Sequence, residues 1–471
     1  MSTRSHLRRV LLAALVAVTV YAATSATASV STASTSACGP LGTLKTYALN
    51  DRCSYGLLDP GLVTDAVIVD SLSRVGQFAL LVNCTGGPSA AAIVAVPDEL
   101  LVTASGPQRL VEAVAEVRRR LDGSVTGVTP VNELAATLSL RQGTLGEAFL
   151  RQVVPTLQGR GFSTDLNYLE PALPNNGFHP DDNPVEAHAD GNGQGGDARV
   201  LVVDSPADDA KGSHLQTTGT PVAYDVDGNG FVDEDHGHGV FVASLIDQLA
   251  PDADVVLAGV KATRVPGSAR WSPMVFSDAD VIAAIGQAFG LSATGVKRPF
   301  DVVNLSLGGA GCGDIGSRLA LGRFLRDVAE LSARSHGVRP VYVAAAGNDG
   351  ADVKHFPAAW RDRSTIHTTA AVVDLVSPPG VGAEIRAIHG ALESGMLAVG
   401  SRTGGIRDPF SNCGTWVNAV AAGAGTVSRY PSPTGWASWS GTSFATARVS
   451  AAVAGGQNLT DVSIGNAVGA C

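Results

Sequence analysis

The chain has 471 residues, of which 45% are hydrophobic and 16% are charged, and its formal net charge is −10. This length predicts two or more domains with sizeable cores. The acidic balance is spread along the chain, which argues against nucleic acid as a partner.

The N-terminus predicts export. Arg4, Arg8 and Arg9 precede an apolar run over 10–23, and the small residues at 26–28 follow. This is the pattern of a secretory signal peptide, here 1–28. No other run is long enough to span a bilayer and no C-terminal anchor is visible. We therefore expect a secreted, extracellular protein without a membrane anchor, and a monomer.

Six cysteines fit an exported protein. They are Cys38, Cys53, Cys84, Cys312, Cys413 and Cys471. Sequence does not determine their connectivity; Cys38 with Cys53 and Cys312 with Cys413 are two candidate pairs. The segment 29–88 contains three of the cysteines and matches no pattern that assigns it a role.

The next region alternates short strands and helices. Strands are predicted over 92–96, 99–102 and 133–140, where apolar residues are continuous or alternate. A helix is predicted over 108–121 and a second over 145–154, with Pro155 as its stop. This is an α+β order.

Two polar residues border apolar runs: Asp204 follows one and His238 precedes another. The run 199–203 ends in Asp204, as a buried parallel strand would at the functional edge of a sheet; a turn or helix-cap aspartate is the alternative. His238 lies between two glycines just before a helix-length apolar run. It could move protons, be a turn histidine, or bind a metal together with His236.

Later segments supply a hydroxyl and an amide. Ser443 lies in a small-residue turn before an apolar helix, which suits either a nucleophile or a helix cap. Asn348 follows the apolar strand 341–346 and is either an oxyanion donor or part of an Asn-Asp-Gly turn. The strand 302–305 runs into Ser306, Leu307 and Gly308.

The order Asp204, His238, Ser443 resembles that of the subtilisin family of serine proteases. The local motifs at 237–243 and 441–446 are also similar to that family's, and the resemblance covers roughly 195–455. It implies an α/β fold, a subtilisin-like three-layer fold with a parallel sheet, preceded by a small α+β pro-domain.

The resemblance also implies the roles of the site residues. Ser443 would be the nucleophile, His238 the proton carrier and Asp204 its orienting partner. Asn348 and the Ser443 N–H would form the oxyanion hole. The Ser306-Leu307-Gly308 edge would pair with the backbone of protein or peptide substrates. No cofactor is implied for catalysis.

The same resemblance divides the chain. Residues 89–175 would be a pro-domain that assists folding and inhibits the active site, 176–196 a cleavable linker and 197–471 the catalytic domain. The alternative for 89–175 is a binding module that persists in the mature protein.

An acidic insert lies between the predicted aspartate and histidine. Asp225, Asp227, Asn229 and Asp233 have the alternating spacing of a calcium loop, but His236 stands where a bidentate Glu is expected. The insert is either a structural calcium site or an acidic surface loop.

Several positions depart from the family pattern. Pro206, Ala447 and Arg448 differ from its usual residues, 360–397 is longer than usual, and the chain ends soon after the nucleophile turn. The alternative function is therefore a catalytically inactive subtilisin-like binding or scaffold protein. Sedolisin-type peptidases share the Gly-Thr-Ser element, but His238 and Asn348 argue against them.

Overall fold

The structure is a computed structural model. It describes residues 80–83, 92–141, 144–145, 153–171, 180–181, 196–206, 215–218, 234–261, 263–264, 274–310, 318–432, 434–455 and 461–465. These ranges all belong to one compact unit, Lys45–Cys471. The predicted signal peptide lies outside them, as does the segment 29–88 apart from Leu80–Asn83. The domain boundaries therefore stay predictions.

An antiparallel sheet is formed mostly by strands from the N-terminal part of this unit. Its strands run in the order β3-β4-β2-β5-β10-β9, and β1 pairs with one end of β2. They are β1 (Leu80–Asn83), β2 (Ala92–Ala104), β3 (Val125–Asn132), β4 (Ala135–Leu140), β5 (Phe162–Pro171), β9 (Thr263–Arg264) and β10 (Met274–Ser277). Helix α1 (Pro107–Arg120) packs on this sheet through Leu110, Ala113 and Val117.

The predicted elements of this region are partly right. The helix over 108–121 is confirmed as α1. The two predicted strands at 92–102 are one strand, β2, whose register shifts between Ala95 and Leu100. The prediction that Pro155 stops a helix is wrong, because Pro155 lies inside the helical turn Val154–Thr156. Proline is tolerated in a first turn, where its missing N–H has no partner to lose. Most of the predicted helix 145–154 lies outside the described residues.

Among the described residues, the second sheet has nine strands and is mainly parallel. Its order is β20-β17-β15-β13-β11-β6-β8-β7, and β16 pairs with β15. The strands are β6 (Arg199–Asp204), β7 (Leu215–Thr218), β8 (Asp254–Gly259), β11 (Val302–Leu305), β13 (Val341–Ala345), β15 (Met396–Thr403), β16 (Ile406–Arg407), β17 (Ala419–Ala421) and β20 (Ser463–Ile464). Within the described part of this sheet, only the β17–β20 and β15–β16 pairs are antiparallel. This confirms the α/β fold with a parallel sheet.

Helices cover both faces of this sheet. They are α2 (His238–Leu249), α3 (Asp278–Phe289), α4 (Leu319–His336), α5 (Arg363–Val376), α6 (Val381–Gly395) and α7 (Thr442–Gly455). Along β6, Val200 and Val202 pack in one core with α2 and α7. Leu201 and Val203 point into the other core, with α3 to α6. Such strict alternation of buried residues requires an apolar layer on each side, so the fold has three layers.

Two short antiparallel strand pairs complete the described strands, and the second of them is a hairpin. β12 (Gly309–Ala310) pairs with β14 (His355–Phe356), and β18 (Thr426–Arg429) pairs with β19 (Trp436–Trp439). The turn after β19 leads directly into α7. Among the described residues, no helix combines the length and the apolar character needed to cross a membrane.

The departures at the C-terminus have structural partners. Ala447 is buried inside α7, and Arg448 forms an ion pair with Asp461 at 3.2 Å. This pair ties α7 to the segment that leads into β20, and β20 is hydrogen-bonded to β17. Among the cysteines only Cys413 lies in the described ranges; it is buried and disulfide-bonded. Its partner lies outside them, so both candidate pairs stay predictions.

Candidate active site

Asp204 ends the central strand β6. The strand lies between β11 and β8 and runs parallel to both, so its last residue is at the carboxyl edge of the sheet, where α/β proteins place functional groups. The carboxylate is 1% exposed. Its Oδ1 accepts the Ser205 N–H at 2.7 Å and lies 2.8 Å from His238 Nδ1. The structure therefore brings the predicted aspartate and histidine together.

His238 is the first residue of α2, and its flanking glycines permit a close approach. A side chain at Gly239 would overlap the Ser205 carbonyl oxygen, and one at Gly237 would overlap the Tyr430 ring. The Gly239 N–H instead donates to Ser205 Oγ at 2.9 Å. The start of α2 can thus lie directly against the end of β6, which is the contact that joins His238 to Asp204.

The imidazole is packed between aromatic rings. Its centroid lies 5.4 Å from that of Trp439, with the two planes at 88°, and 5.7 Å from that of Phe444. These contacts hold the ring beside the turn that precedes α7. Because Nδ1 is bonded to a carboxylate, the hydrogen-bond network assigns its proton to Nδ1. Nε2 is buried and has no hydrogen-bond partner among the described residues.

Ser443 lies in the first turn of α7 and is 1% exposed. Its Oγ donates to the Ser306 carbonyl at 3.2 Å, and Ser306 Oγ donates to the Ser443 carbonyl at 3.0 Å. The serine is therefore braced against the end of β11 and is not hydrogen-bonded to His238. A rotation about χ1 is needed to turn Oγ toward the ring. Catalytic hydrogen bonds are often loose without substrate.

Asn348 lies beside the same turn. Its Oδ1 accepts two hydrogen bonds from Thr442, one from N–H at 2.9 Å and one from Oγ1 at 2.8 Å. These two donors fix which end of the side-chain amide faces α7, since a carbonyl oxygen accepts and an amide nitrogen does not. The NH₂ end of the side chain therefore points away from Thr442.

The sequence model of the subtilase family matches residues 164–461, well over half of the chain. The chain belongs to the subtilase family. The predicted family is thereby confirmed, and with it membership of a serine protease family. No curated protein matches the chain at a significant level.

Solved structures resemble this subtilase at low identity. A cold-adapted subtilisin-like serine proteinase is 21% identical, covering 58% of this chain and 79% of that one, with a TM-score of 0.35. The patellamide maturation protease PatA is 24% identical over 55% and 76%, with a TM-score of 0.34. A lanthipeptide protease is 19% identical over 56% and 74%, with a TM-score of 0.36.

Sequence reasoning missed Asn412, which holds the turn that bears Asn348. Its Nδ2 donates to the carbonyls of Ala346 (3.0 Å) and Val353 (3.2 Å) and to Asp349 Oδ2 (2.8 Å). Its Oδ1 accepts the Asp349 N–H at 2.8 Å, and its N–H donates to the Gly347 carbonyl at 3.0 Å. The side chain thus grips both sides of the turn. Nothing in the neighbouring sequence signals this role.

The carboxylate of Asp349, in the same turn, is also fixed by its contacts. Asp349 Oδ2 lies 2.8 Å from His355 Nε2. Burial alone would raise the pKa of Asp349, but the charge and hydrogen bond of His355 and the hydrogen bond from Asn412 outweigh it and lower this pKa. Gly347 has φ +105°, and a side chain there would overlap Asn412. The turn therefore depends on the glycine at Gly347 and on the side chain of Asn412.

The predicted substrate edge follows β11. Ser306 and Leu307 are buried, and a side chain at Gly308 would come within 2.7 Å of the Phe356 carbonyl oxygen. Glycine is needed for this close approach of two backbones. The edge lies next to Ser443 through the two Ser306 hydrogen bonds.

The predicted metal ligands belong to a part of the chain that the structure does not describe. Asp225, Asp227, Asn229 and Asp233 lie in the range 219–233, outside the described residues. Within the described ranges, no group of three or more His, Cys, Asp or Glu side chains is arranged to hold a metal ion. His236, the suggested metal partner of His238, is buried.

Proposed function

We propose that this subtilase is a secreted serine endopeptidase, made as a zymogen, that hydrolyses peptide bonds through an acyl-enzyme. The observation that carries the proposal is the buried Asp204–His238 pair at 2.8 Å. It lies at the carboxyl edge of the parallel sheet, and its imidazole packs on the rings of Trp439 and Phe444, which flank the Ser443 turn.

The proposed chemistry follows from the positions of the atoms. Ser443 Oγ leaves Ser306, gives its proton to His238 Nε2 and attacks the substrate carbonyl carbon. Asp204 holds the Nδ1–H and stabilises the imidazolium that forms. The Asn348 amide and the Ser443 N–H donate to the oxyanion. His238 then protonates the leaving amine, and water repeats the sequence to release the acid and restore Ser443.

The contacts of the N-terminal antiparallel sheet support the zymogen proposal. Strand β5 pairs through Leu169–Pro171 with Val275–Ser277 of β10. Asp165 Oδ2 accepts the Leu319 N–H at 2.8 Å at the start of α4, and Asn167 Oδ1 accepts the Ala279 N–H at 3.0 Å at the start of α3. Polar side chains of residues 89–175 therefore cap two helices of residues 197–471.

The polar cluster around Asp165 is fully buried. Asp165 Oδ1 accepts from the Tyr168 hydroxyl at 2.9 Å, and Arg318 pairs with Asp278 at 2.9 Å. The Arg318 guanidinium also lies over the Tyr168 ring, 4.8 Å from its centroid. Burial raises the pKa of Asp165 to about 7. Buried polar groups need partners, so this interface favours a specific docked position over a loose one.

The remaining parts of the proposal rest on sequence patterns. Residues 1–28 would direct export, 89–175 would act as an intramolecular inhibitor, and 176–196 would be cleaved to release it. The acidic insert around Asp227 would bind calcium as a structural ion and stabilise the approach to His238. Proteins or peptides would be the substrates.

One observation favours the alternative function, an inactive binding protein. Ser443 Oγ is hydrogen-bonded to the Ser306 carbonyl and not to His238. If this state persisted with substrate present, the serine would not be activated and the fold would act only as a scaffold.

Expression of the wild type and of Ser443→Ala decides between the two functions. For the wild type we expect hydrolysis of an unfolded protein such as casein and a new N-terminus within 176–196. For Ser443→Ala we expect neither. A processed and folded wild type that hydrolyses no protein or peptide would favour the scaffold, and a Ser443→Ala variant with normal activity would refute the proposed nucleophile.

A further inference from the structure

The segment 360–397, longer than is usual for the family, forms a helical hairpin. Helices α5 and α6 are joined by residues 377–380, and the Asp362 side chain caps the first of them by accepting the Ser364 N–H at 3.1 Å. The Asp374 carboxylate accepts from the Gly382 N–H at 2.9 Å and from Arg386 at 3.0 Å. This carboxylate bonds the end of one helix to the start of the next.

The hairpin is anchored to the core. Its buried residues belong to the larger apolar core, together with α3 and α4. They include Ile366, Val373, Ile385, Ile388 and Leu392. A hairpin with this many buried apolar side chains is a fixed part of the fold, and it can present polar groups in defined positions.

Two polar groups of the hairpin contact the N-terminal antiparallel region. Ser377 Oγ donates to the Pro155 carbonyl at 3.0 Å. The Glu384 carboxylate accepts the Gly161 N–H, with both oxygens at 2.7 Å. Gly161 lies just before β5 and has φ +78°, a conformation that favours glycine.

Arg323 of α4 connects the same two regions. Its guanidinium is 1% exposed; Nη2 lies 3.1 Å from Glu384 Oε1, and Nε donates to Ser163 Oγ at 3.0 Å. A buried cation needs a charge partner, and Glu384 is one for Arg323. We call Gly161, Ser163, Arg323 and Glu384 the clasp. Two of its members belong to the region predicted to be removed and two to the region predicted to remain.

The clasp is supported from the other side by α1. Arg109 Nε donates to the Arg160 carbonyl at 3.1 Å, so the residue before Gly161 is held by its own region. The Gly161 N–H is therefore presented to Glu384 by a fixed backbone. Preorganised groups lose little entropy on docking, which makes the hydrogen bond effective.

We propose that the α5–α6 hairpin is a docking element for the N-terminal α+β region and that Glu384, through the clasp, sets how long this region stays bound after cleavage. The inference rests on the proposed zymogen. It assigns to the hairpin a role in the timing of activation, distinct from the recognition of substrate. The occupant of the surface is residues 155–163 of the same chain.

The first test uses the uncleaved full chain in the Ser443→Ala background. Amide hydrogen exchange is followed in a peptide that covers Gly161, with and without Glu384→Ala. A hydrogen bond to a charged acceptor contributes a factor of about tenfold to hundredfold, so we expect exchange at Gly161 to accelerate by that factor. Unchanged exchange would overturn the proposal. This result does not depend on protease activity.

The second test uses the self-processed protein with its own Ser443. After cleavage the sample is diluted, and the time until peptidase activity appears reports release of the N-terminal region. We expect Glu384→Ala to shorten this time about tenfold to hundredfold, while kcat after complete release equals that of the wild type. An unchanged release time would overturn the proposal. A wild type that does not process itself would instead refute the proposed function, and the exchange test would still judge the clasp.

A matched control lies on the same helix. Glu393 of α6 has its Oε2 atom 3.8 Å from His389 Nδ1, and its side chain is 38% exposed. Glu393→Ala should leave both the exchange and the release time unchanged. If Glu384→Ala does not fold, Ser163→Ala serves instead, because it removes the hydroxyl bonded to Arg323 without emptying a charged site. If Ser163→Ala released the N-terminal region as slowly as the wild type does, the proposed role of the clasp would be wrong.

Discussion

Gly239 offers a sharp test of the geometry that joins His238 to Asp204. A methyl group at this position would lie 3.2 Å from both Asp204 Cβ and Ser205 Oγ and would overlap the Ser205 carbonyl oxygen. The tightest contact, 2.4 Å to the Ser205 carbonyl oxygen, is about 1 Å shorter than an ordinary contact of about 3.5 Å, so the end of β6 and the start of α2 must separate by roughly 1 Å. The 2.8 Å hydrogen bond between Nδ1 and Oδ1 lies across this gap.

A misplacement of about 1 Å can lower the rate about 10²-fold. We therefore expect Gly239→Ala to reduce kcat on a peptide substrate by about that factor, with KM little changed, because the substrate edge at 306–308 is untouched. Steady-state kinetics after complete processing measures both constants. Wild-type kcat in a folded Gly239→Ala enzyme would refute the reasoning.

Gly390 is the matched control for this substitution. It lies on an exposed part of α6, and an added methyl group would meet no atom within 4 Å. Gly390→Ala should leave kcat unchanged and stabilise the protein by about 0.5–1 kcal/mol, since glycine is a poor helix former. The contrast separates a local steric effect from a general effect of replacing glycine.

Three further predictions concern other parts of the molecule. Asn348→Leu should lower kcat by about 10²–10³, the magnitude found for the corresponding donor of subtilisin, and an unchanged kcat in peptide kinetics would place the oxyanion donor elsewhere. Asp165 has its pKa raised by burial to about 7 from 3.8, so its contribution to stability is present below about pH 4 and is lost as pH rises through about 7. Thermal melts of the Ser443→Ala full chain should therefore lose stability over that range relative to the same chain with Asp165→Asn, and a constant difference would contradict this. Removal of calcium with a chelator should lower Tm in the wild type and not in Asp227→Ala; no shift in the wild type would refute the calcium site.

The parts of the site that sequence could predict lie within short motifs. Asp204 ends an apolar strand and His238 begins a helix between glycines, so local periodicity and flanking residues locate both. That these two residues, 34 positions apart, form a pair is predicted only by the family resemblance. The structure places the two side chains in contact.

The parts that sequence could not predict depend on distant partners. Nothing near Asn412 in the sequence indicates that its side chain would hold the turn 63 positions away at Asp349. The same is true of Glu384 and Gly161, which are 223 positions apart. Such hydrogen bonds arise from the packing of whole elements, and single-residue patterns do not encode them.

The helix prediction at Pro155 failed for a related reason. A proline predicts the end of a helix because it disrupts a helix interior. In the structure it lies in the first turn of a short helix, whose position is set by contact with α5 and by the Ser377 hydrogen bond to its carbonyl. Tertiary contact thus decided where the helical turn forms.

The most direct test of the proposed active site is covalent labelling with a serine-directed fluorophosphonate. The reagent reacts only with a serine that is activated by a base and supported by an oxyanion site. Applied to the processed protein and followed by peptide mass mapping, it should label Ser443 in the wild type, and the label should be absent from Ser443→Ala and strongly slowed in His238→Ala. A folded, processed wild type that stays unlabelled, or that is labelled at another residue, would contradict the account.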